Sequence, residues 1–113
     1  YEPVSWIKLN TGEEQKIEDW PLSKLVYGVA GIANPNNFFS TLRNLGFEVI
    51  ENSFPDHHTF SKADFMGLED LPIIMTEKDA IKCKNFVGNF WYLKIEAKLS
   101  DDFADEIYNQ IVS

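Results

Sequence analysis

The feature that most constrains the fold of this chain is a continuous apolar run, Leu25-Val26-Tyr27-Gly28-Val29-Ala30. A strand with one exposed face alternates polar and apolar residues, whereas an unbroken apolar run is typical of a strand covered on both faces. Strands of that kind occur mainly in parallel sheets. The run therefore predicts a parallel sheet with helices packed against it.

Other segments of the chain continue this alternation of strands and helices. Further strands are predicted at residues 47–50, 71–75 and 90–95. Helices are predicted from the spacing of Phe38, Phe39, Leu42 and Leu45, from the capping pattern at Ser61, as a short turn at residues 76–79, and after Ser100. The prediction is a Rossmann-like α/β fold with a mostly parallel sheet.

The first 20 residues carry a different pattern, which predicts a small antiparallel hairpin. Val4, Trp6 and Leu9 lie in a β-favouring run, and Asn10-Thr11-Gly12 is a turn signal. We therefore divide the chain into a hairpin or interdomain segment, residues 1–23, and an α/β domain, residues 24–113. Because the first residue is Tyr1 rather than Met, we expect the chain to be part of a longer protein.

Composition removes several classes of function. Eighteen Asp and Glu against ten Lys and Arg give a formal net charge of -8, whereas nonspecific binding to nucleic acid or anionic lipid needs a basic surface. The single cysteine, Cys83, cannot form an internal disulfide and is interpreted as a small core residue. No apolar run approaches the roughly 20 residues of a membrane span. We expect a soluble, globular domain that does not bind nucleic acid.

Polar clusters follow three of the predicted strands. They occupy residues 31–35, 55–58 and 76–79. Carboxyl ends of parallel strands meet at one edge of a sheet, where α/β proteins bind their ligands. We therefore expect Gly31, His57 and Thr76 to lie along the same rim.

Asp56, His57 and His58 form the cluster whose side chains could most readily take part in catalysis. A carboxylate beside an imidazole can orient the ring or raise its basicity, as a general base requires. The alternative is that these are surface residues, which is the commoner situation of a loop histidine. No metal site is predicted, because adjacent side chains do not easily converge on one ion.

The other two clusters also have purely structural interpretations. Gly31 and Pro35 can simply shape a tight turn between strand and helix. Thr76 and Asp79 match a helix-capping pair, and the residues between them are typical of a solvated first turn.

Three motifs in a fixed order resemble a known family. They are Gly31-Ile32-Ala33-Asn34-Pro35-x-x-Phe38-Phe39, Phe54-Pro55-Asp56-His57-His58-x-Phe60 and Met75-Thr76-Glu77-Lys78-Asp79-Ala80-x-Lys82. Together they resemble the C-terminal part of the tetraacyldisaccharide 4'-kinases, the lipid A 4'-kinases of Gram-negative bacteria. The resemblance runs from about residue 25 to the end of the chain.

The resemblance implies a P-loop-kinase-related fold and transfer of the ATP γ-phosphate to the 4'-hydroxyl of tetraacyldisaccharide 1-phosphate, a lipid A precursor. It implies ATP and Mg²⁺ as cofactors, and a location at the cytoplasmic face of the inner membrane. This chain contains no G-x-x-x-x-G-K-[ST] motif. We therefore expect an N-terminal P-loop domain to bind the cofactors, membrane contact to come from parts outside this chain, and the chain alone to be inactive.

Residue by residue, the resemblance places the family's Asp-His-His motif on Asp56, His57 and His58. It implies that His57 pairs with an acidic residue of the N-terminal domain and helps to deprotonate the sugar hydroxyl. Further rim residues are expected to contact the substrate or the other domain, namely Gly31, Asn34, Thr76, Glu77, Lys78 and Asp79.

Two other classes of function stay open at this point. One is an independent α/β module that binds a small ligand at the strand ends, and the other is a docking domain without chemistry. A P-loop encoded upstream of residue 1 favours the kinase, whereas its absence favours the binding module.

Overall fold

The computed structural model describes residues 2–96, which form one six-stranded mixed sheet. The strands are β1 (Glu2–Lys8), β2 (Glu14–Lys16), β3 (Leu25–Ala30), β4 (Glu48–Ser53), β5 (Ile73–Thr76) and β6 (Phe90–Glu96). The helices in this range are α1 (Pro35–Asn44), α2 (Glu77–Lys82) and two 3₁₀ helices, Ile17–Asp19 and Lys62–Phe65.

The strands lie in the order β2-β1-β6-β5-β3-β4. Strand β3 pairs in parallel with both β4 and β5, and β5 pairs in parallel with β6. Strand β1 is antiparallel to both β2 and β6, so the hairpin extends the main sheet. The predicted α/β fold, with a mostly parallel sheet and a small N-terminal hairpin, is confirmed.

One face of the sheet is covered by α1 and by a group of aromatic rings. Phe38, Phe39 and Leu42 are buried at the helical spacing that the sequence predicts. The helix begins at Pro35, whose missing N–H is tolerated in a first turn, and is followed by Gly46 with φ +95°. Burial of large apolar side chains, at about 1.5–3 kcal/mol each, is what holds α1 on the sheet.

The opposite face is covered by α2 and the 3₁₀ helix Lys62–Phe65. Val29 and Met75 of the sheet are fully buried there, together with Cys83 after α2. Burial raises the pKa of the Cys83 thiol to about 12. The thiol is therefore protonated at neutral pH and inert, as a small core residue is expected to be.

Several predicted elements differ in extent from the structure: the strand predicted at residues 71–75 is β5 at Ile73–Thr76, and the turn predicted at residues 76–79 continues as α2 to Lys82. The helix expected from Ser61 is a single 3₁₀ turn, although the capping box between Ser61 and Asp64 is present. It stops because Met66 is extended and Gly67 adopts φ +85°. Strand β4 continues past residue 50 to Ser53, since its backbone keeps pairing with β3 as far as Ala30.

The predicted helix after Ser100 lies outside the described residues. Within residues 2–96, no helix is long and apolar enough to cross a membrane.

Candidate functional site

The carboxyl ends of β3, β4 and β5 meet at one edge of the sheet because the three strands are parallel. Ala30 is level with Ser53, and Val29 is level with Met75. Residues 31–35, 55–58 and 76–79 follow directly, so the structure brings the three polar clusters together on this rim.

The sheet order places a topological switch point between β3 and β5, because β4 lies on one side of β3 and β5 on the other. A crevice for ligands commonly opens at such a point. Here the side chain of Asp79 occupies the position. Its Oδ2 accepts hydrogen bonds from the Gly31 N–H at 2.9 Å and from the Thr76 hydroxyl at 2.7 Å.

The packing around Gly31 is tight, and a side chain here would require its neighbours to shift by a few tenths of an ångström. A Cβ on this residue would lie 3.2 Å from Phe60 Cζ, 3.3 Å from Asp79 Oδ1 and 3.4 Å from the Pro55 carbonyl oxygen. Thr76 also accepts a hydrogen bond from the Asp79 N–H at 3.2 Å, as a helix cap does. Gly31, Thr76 and Asp79 therefore form a packed junction, and Asp79 has no exposed surface with which to touch a substrate.

One atom of this junction is unsatisfied. Asp79 Oδ1 is buried and has no hydrogen-bond partner among residues 2–96. A buried polar atom without a partner costs about 1–3 kcal/mol. The carboxylate therefore stabilises the fold through Oδ2, whose hydrogen bonds join the loop after β3 to α2.

A tight turn presents His57 at the outer part of the rim. The His58 N–H donates to the Pro55 carbonyl oxygen at 3.0 Å, and His57 adopts φ +63°. Positive φ at the third residue is the mark of a type II turn, where glycine is the usual residue. His57 therefore combines a backbone conformation that is uncommon for a residue with a Cβ and a side chain that is 79% exposed.

The carboxylate of Asp56 lies between two cationic or potentially cationic groups. Its Oδ2 is 3.6 Å from His57 Nε2, and its Oδ1 is 3.9 Å from Lys78 Nζ. All three side chains are exposed to solvent. The 3.6 Å separation is longer than a hydrogen bond, so Asp56 faces one ring nitrogen of His57 at ion-pair distance and acts on the ring electrostatically.

His58 points away from the rim, unlike His57. Its Nε2 forms a 2.9 Å hydrogen bond with Asp64 Oδ2, and its ring stacks on Phe54 with centroids 4.7 Å apart. The Ser61 N–H, together with the His58 ring, holds the pKa of the Asp64 carboxyl below its usual value. In this arrangement His58 anchors the turn that carries His57, so the two adjacent histidines have different environments.

Further contacts complete the rim. Asn34 precedes α1 without a side-chain capping bond, and Glu77 and Lys78 are exposed in the first turn of α2. Lys82 donates from Nζ to the His58 carbonyl oxygen at 3.3 Å. The sequence alone assigns no role to Lys82 or to the Asp64–His58 bond, although the capping box marks Asp64 and the third motif includes Lys82.

An apolar pocket of about 360 Å³ lies away from this rim. Its walls include Ile73 and Phe90, the first residues of β5 and β6, so it opens at the opposite edge of the sheet. Among residues 2–96, no group of three or more His, Cys, Asp or Glu residues is arranged to hold a metal ion.

Comparisons with known proteins agree with the motifs on the rim. The sequence model of the family described as tetraacyldisaccharide-1-P 4'-kinase, LpxK, matches residues 1–112. A tetraacyldisaccharide 4'-kinase from Pseudomonas aeruginosa PAO1 is 41% identical over 104 residues, which are 91% of this chain and 31% of that protein. Another from Hahella chejuensis is 39% identical over 106 residues, 93% of this chain and 31% of that protein.

A solved structure is similar as well. The crystal structure of LpxK from Aquifex aeolicus in complex with ATP matches with a TM-score of 0.68 and 26% identity, over 98% of this chain and 33% of that one. The chain therefore spans about a third of the length of these relatives. Since the family match extends over nearly every residue, the chain belongs to the tetraacyldisaccharide-1-P 4'-kinase family.

Proposed function

We propose that this chain is the C-terminal domain of a lipid A 4'-kinase and forms one wall of an interdomain cleft. In this proposal the full-length enzyme transfers the ATP γ-phosphate to the 4'-hydroxyl of tetraacyldisaccharide 1-phosphate. Support comes from membership of the family and from the coverage of about a third of each relative. This chain has no P-loop sequence, which is consistent with nucleotide binding by a different domain.

The observation that carries the proposal is the exposed His57 ring in a left-handed turn, 3.6 Å from Asp56, at the carboxyl edge of the sheet. Phosphoryl transfer depends mainly on positioning and on electrostatic stabilisation. A neutral imidazole beside the Asp56 carboxylate can accept the proton of the sugar hydroxyl as that oxygen attacks phosphorus. His57 is therefore assigned as a general base or as part of one, and Asp56 as the group that orients its ring.

ATP and Mg²⁺ are assigned to the N-terminal domain. The residues of this chain do not fit a nucleotide site, because the P-loop glycines, its Lys and the following Ser or Thr are all absent from the sequence. The LpxK relative from Aquifex aeolicus was crystallised with ATP, which supports the use of this nucleotide by the family. No step of the proposed chemistry in this domain passes through the metal.

The lipid substrate suggests where the enzyme works. The relatives are named for an acylated disaccharide, and we assign the full-length protein to the cytoplasmic face of the inner membrane. A net charge of -8 makes this domain a poor surface for anionic lipid. Membrane contact is therefore assigned to parts of the protein outside this chain.

The test of this proposal is phosphate transfer by the full-length protein. With γ-labelled ATP, Mg²⁺ and tetraacyldisaccharide 1-phosphate, label should appear on the lipid. His57→Ala should lower kcat by about 10²–10⁴, the usual contribution of a positioned general base. Residues 1–113 alone should neither transfer phosphate nor bind ATP tightly. Wild-type kcat in the His57→Ala enzyme would overturn the assignment, as would a micromolar Kd of the isolated chain for ATP by calorimetry.

A further inference from the structure

The short helix α2 makes side-chain contacts with both loops that precede it on the rim. The contacts are Lys78 to Asp56, Asp79 to Gly31 and Lys82 to His58. All three lie in the third sequence motif, and two of the three partners belong to the turn that carries His57. The sequence alone leaves the role of this motif open.

Helix α2 is held in place by its cap and by burial of its inner side chains. Thr76 caps its first turn, Asp79 and Ala80 are buried within it, and the Cys83 side chain that follows is fully buried. Side chains on a helix fixed in this way hold the groups they contact more accurately than side chains on a free loop can. The backbone of Lys78 is thus placed by the packing of the helix, while its side chain is 56% exposed.

The carboxylate of Asp56 is shared between Lys78 and His57. Lys78 Nζ lies 3.9 Å from Oδ1, and His57 Nε2 lies 3.6 Å from Oδ2. Attraction between Lys78 and one oxygen restricts rotation of the carboxylate, and the other oxygen then faces the imidazole. Without the ammonium group, an Asp56 side chain that is 38% exposed is free to turn toward water.

We propose that Lys78 is a positioning residue that orients His57 through Asp56. The inference rests on the proposed function, since it concerns the same histidine. This role differs from direct binding of a substrate phosphate by Lys78. If Lys78 acts through Asp56, replacement of Lys78 has no effect once the Asp56 carboxylate is gone. Replacement of Lys78 should also change the stability of the fold little, because solvent-exposed ion pairs contribute little to stability.

The experiment uses the full-length kinase with Lys78→Met, the conservative variant Lys78→Arg, and Lys84→Met as a matched control. Lys84 is exposed and lies just after α2, and its replacement by Met removes the same positive charge. Lys78→Met should lower kcat about three- to fivefold, which is the most that a solvent-exposed ion pair can contribute to orienting Asp56. KM for both substrates and Tm should change little. Lys78→Arg should recover most of kcat, and Lys84→Met should match the wild type.

A double-mutant cycle with Asp56→Asn decides how Lys78 acts. In the Asp56→Asn background, Lys78→Met should change kcat less than about twofold. An equal loss of kcat in both backgrounds would overturn the proposal in favour of direct action, and so would unchanged kcat of Lys78→Met alone. Loss of activity in His57→Ala with no effect of Lys78→Met refutes only this inference. Wild-type activity in His57→Ala refutes the general-base role assigned to His57 in the proposed function.

Discussion

The left-handed backbone of His57 leads to a prediction that separates folding from chemistry. Replacement by glycine and replacement by alanine both remove the imidazole, so both should abolish the contribution of His57 to kcat in the full-length enzyme. Their effects on stability should differ, because φ is +63° at this position. Glycine adopts this conformation freely, whereas alanine keeps a Cβ in the disfavoured region.

The size of the difference follows from two opposing terms. A left-handed conformation costs a residue with a Cβ about 1–2 kcal/mol. Glycine loses about 0.5–1 kcal/mol more backbone entropy on folding than alanine does. From the centres of these two ranges, His57→Gly should be more stable than His57→Ala by about 0.75 kcal/mol. The His57 side chain is largely exposed, so loss of packing adds little to either variant.

The assay is urea unfolding of the 113-residue chain for both variants and the wild type. With a denaturant slope of about 1–3 kcal/mol/M, the midpoints of the two variants should differ by roughly 0.2–1 M. Equal midpoints, or a higher midpoint for the alanine variant, would refute the argument that His57 is held in a strained turn. The kinetic prediction is independent of this outcome.

Two further predictions concern buried and partly buried carboxylates. Asp79→Ala removes the acceptor of the Gly31 N–H and the Thr76 hydroxyl and should lower the free energy of unfolding by about 2–4 kcal/mol. Asp79→Asn keeps one oxygen and should lower it much less. Similar urea midpoints for the two variants would contradict this prediction. The pKa of Asp64 is lowered in the fold, so its contribution to stability is present above the unfolded pKa, near 3.8, and is lost as pH falls through the folded pKa. Asp64→Asn should accordingly flatten the acid limb of stability against pH, and an unchanged limb would show that the carboxylate is not stabilised by its partners.

Local sequence patterns predict the regular elements of this protein well. The unbroken apolar run of β3 predicts burial on both faces, and α1 and α2 do cover opposite faces. Pro35 and Gly46 mark the ends of α1 because their backbone preferences act within one turn of helix. The parallel strands then bring the three polar clusters to one rim, as expected from the topology of such sheets.

The sequence patterns do not predict the extents of elements that depend on neighbours. Residues 51–53 show no apolar signal, yet they complete β4 because an edge strand is held by backbone hydrogen bonds to β3. The capping box at Ser61 predicts a helix start, but not that the turn ends at Phe65. Gly67 and the buried Phe65 decide that, through a positive φ and through packing on the far side of the sheet.

The sequence by itself determined the α/β class, the family and the set of residues on the rim, because periodicity, turn residues and ordered motifs are properties of neighbouring positions along the chain. Only the tertiary structure decided what each rim residue touches. His57 and His58 are adjacent and chemically identical, but a type II turn sends one ring to solvent and the other to Asp64. Asp79 and Gly31 are 48 positions apart and meet only because β3 and β5 pair side by side.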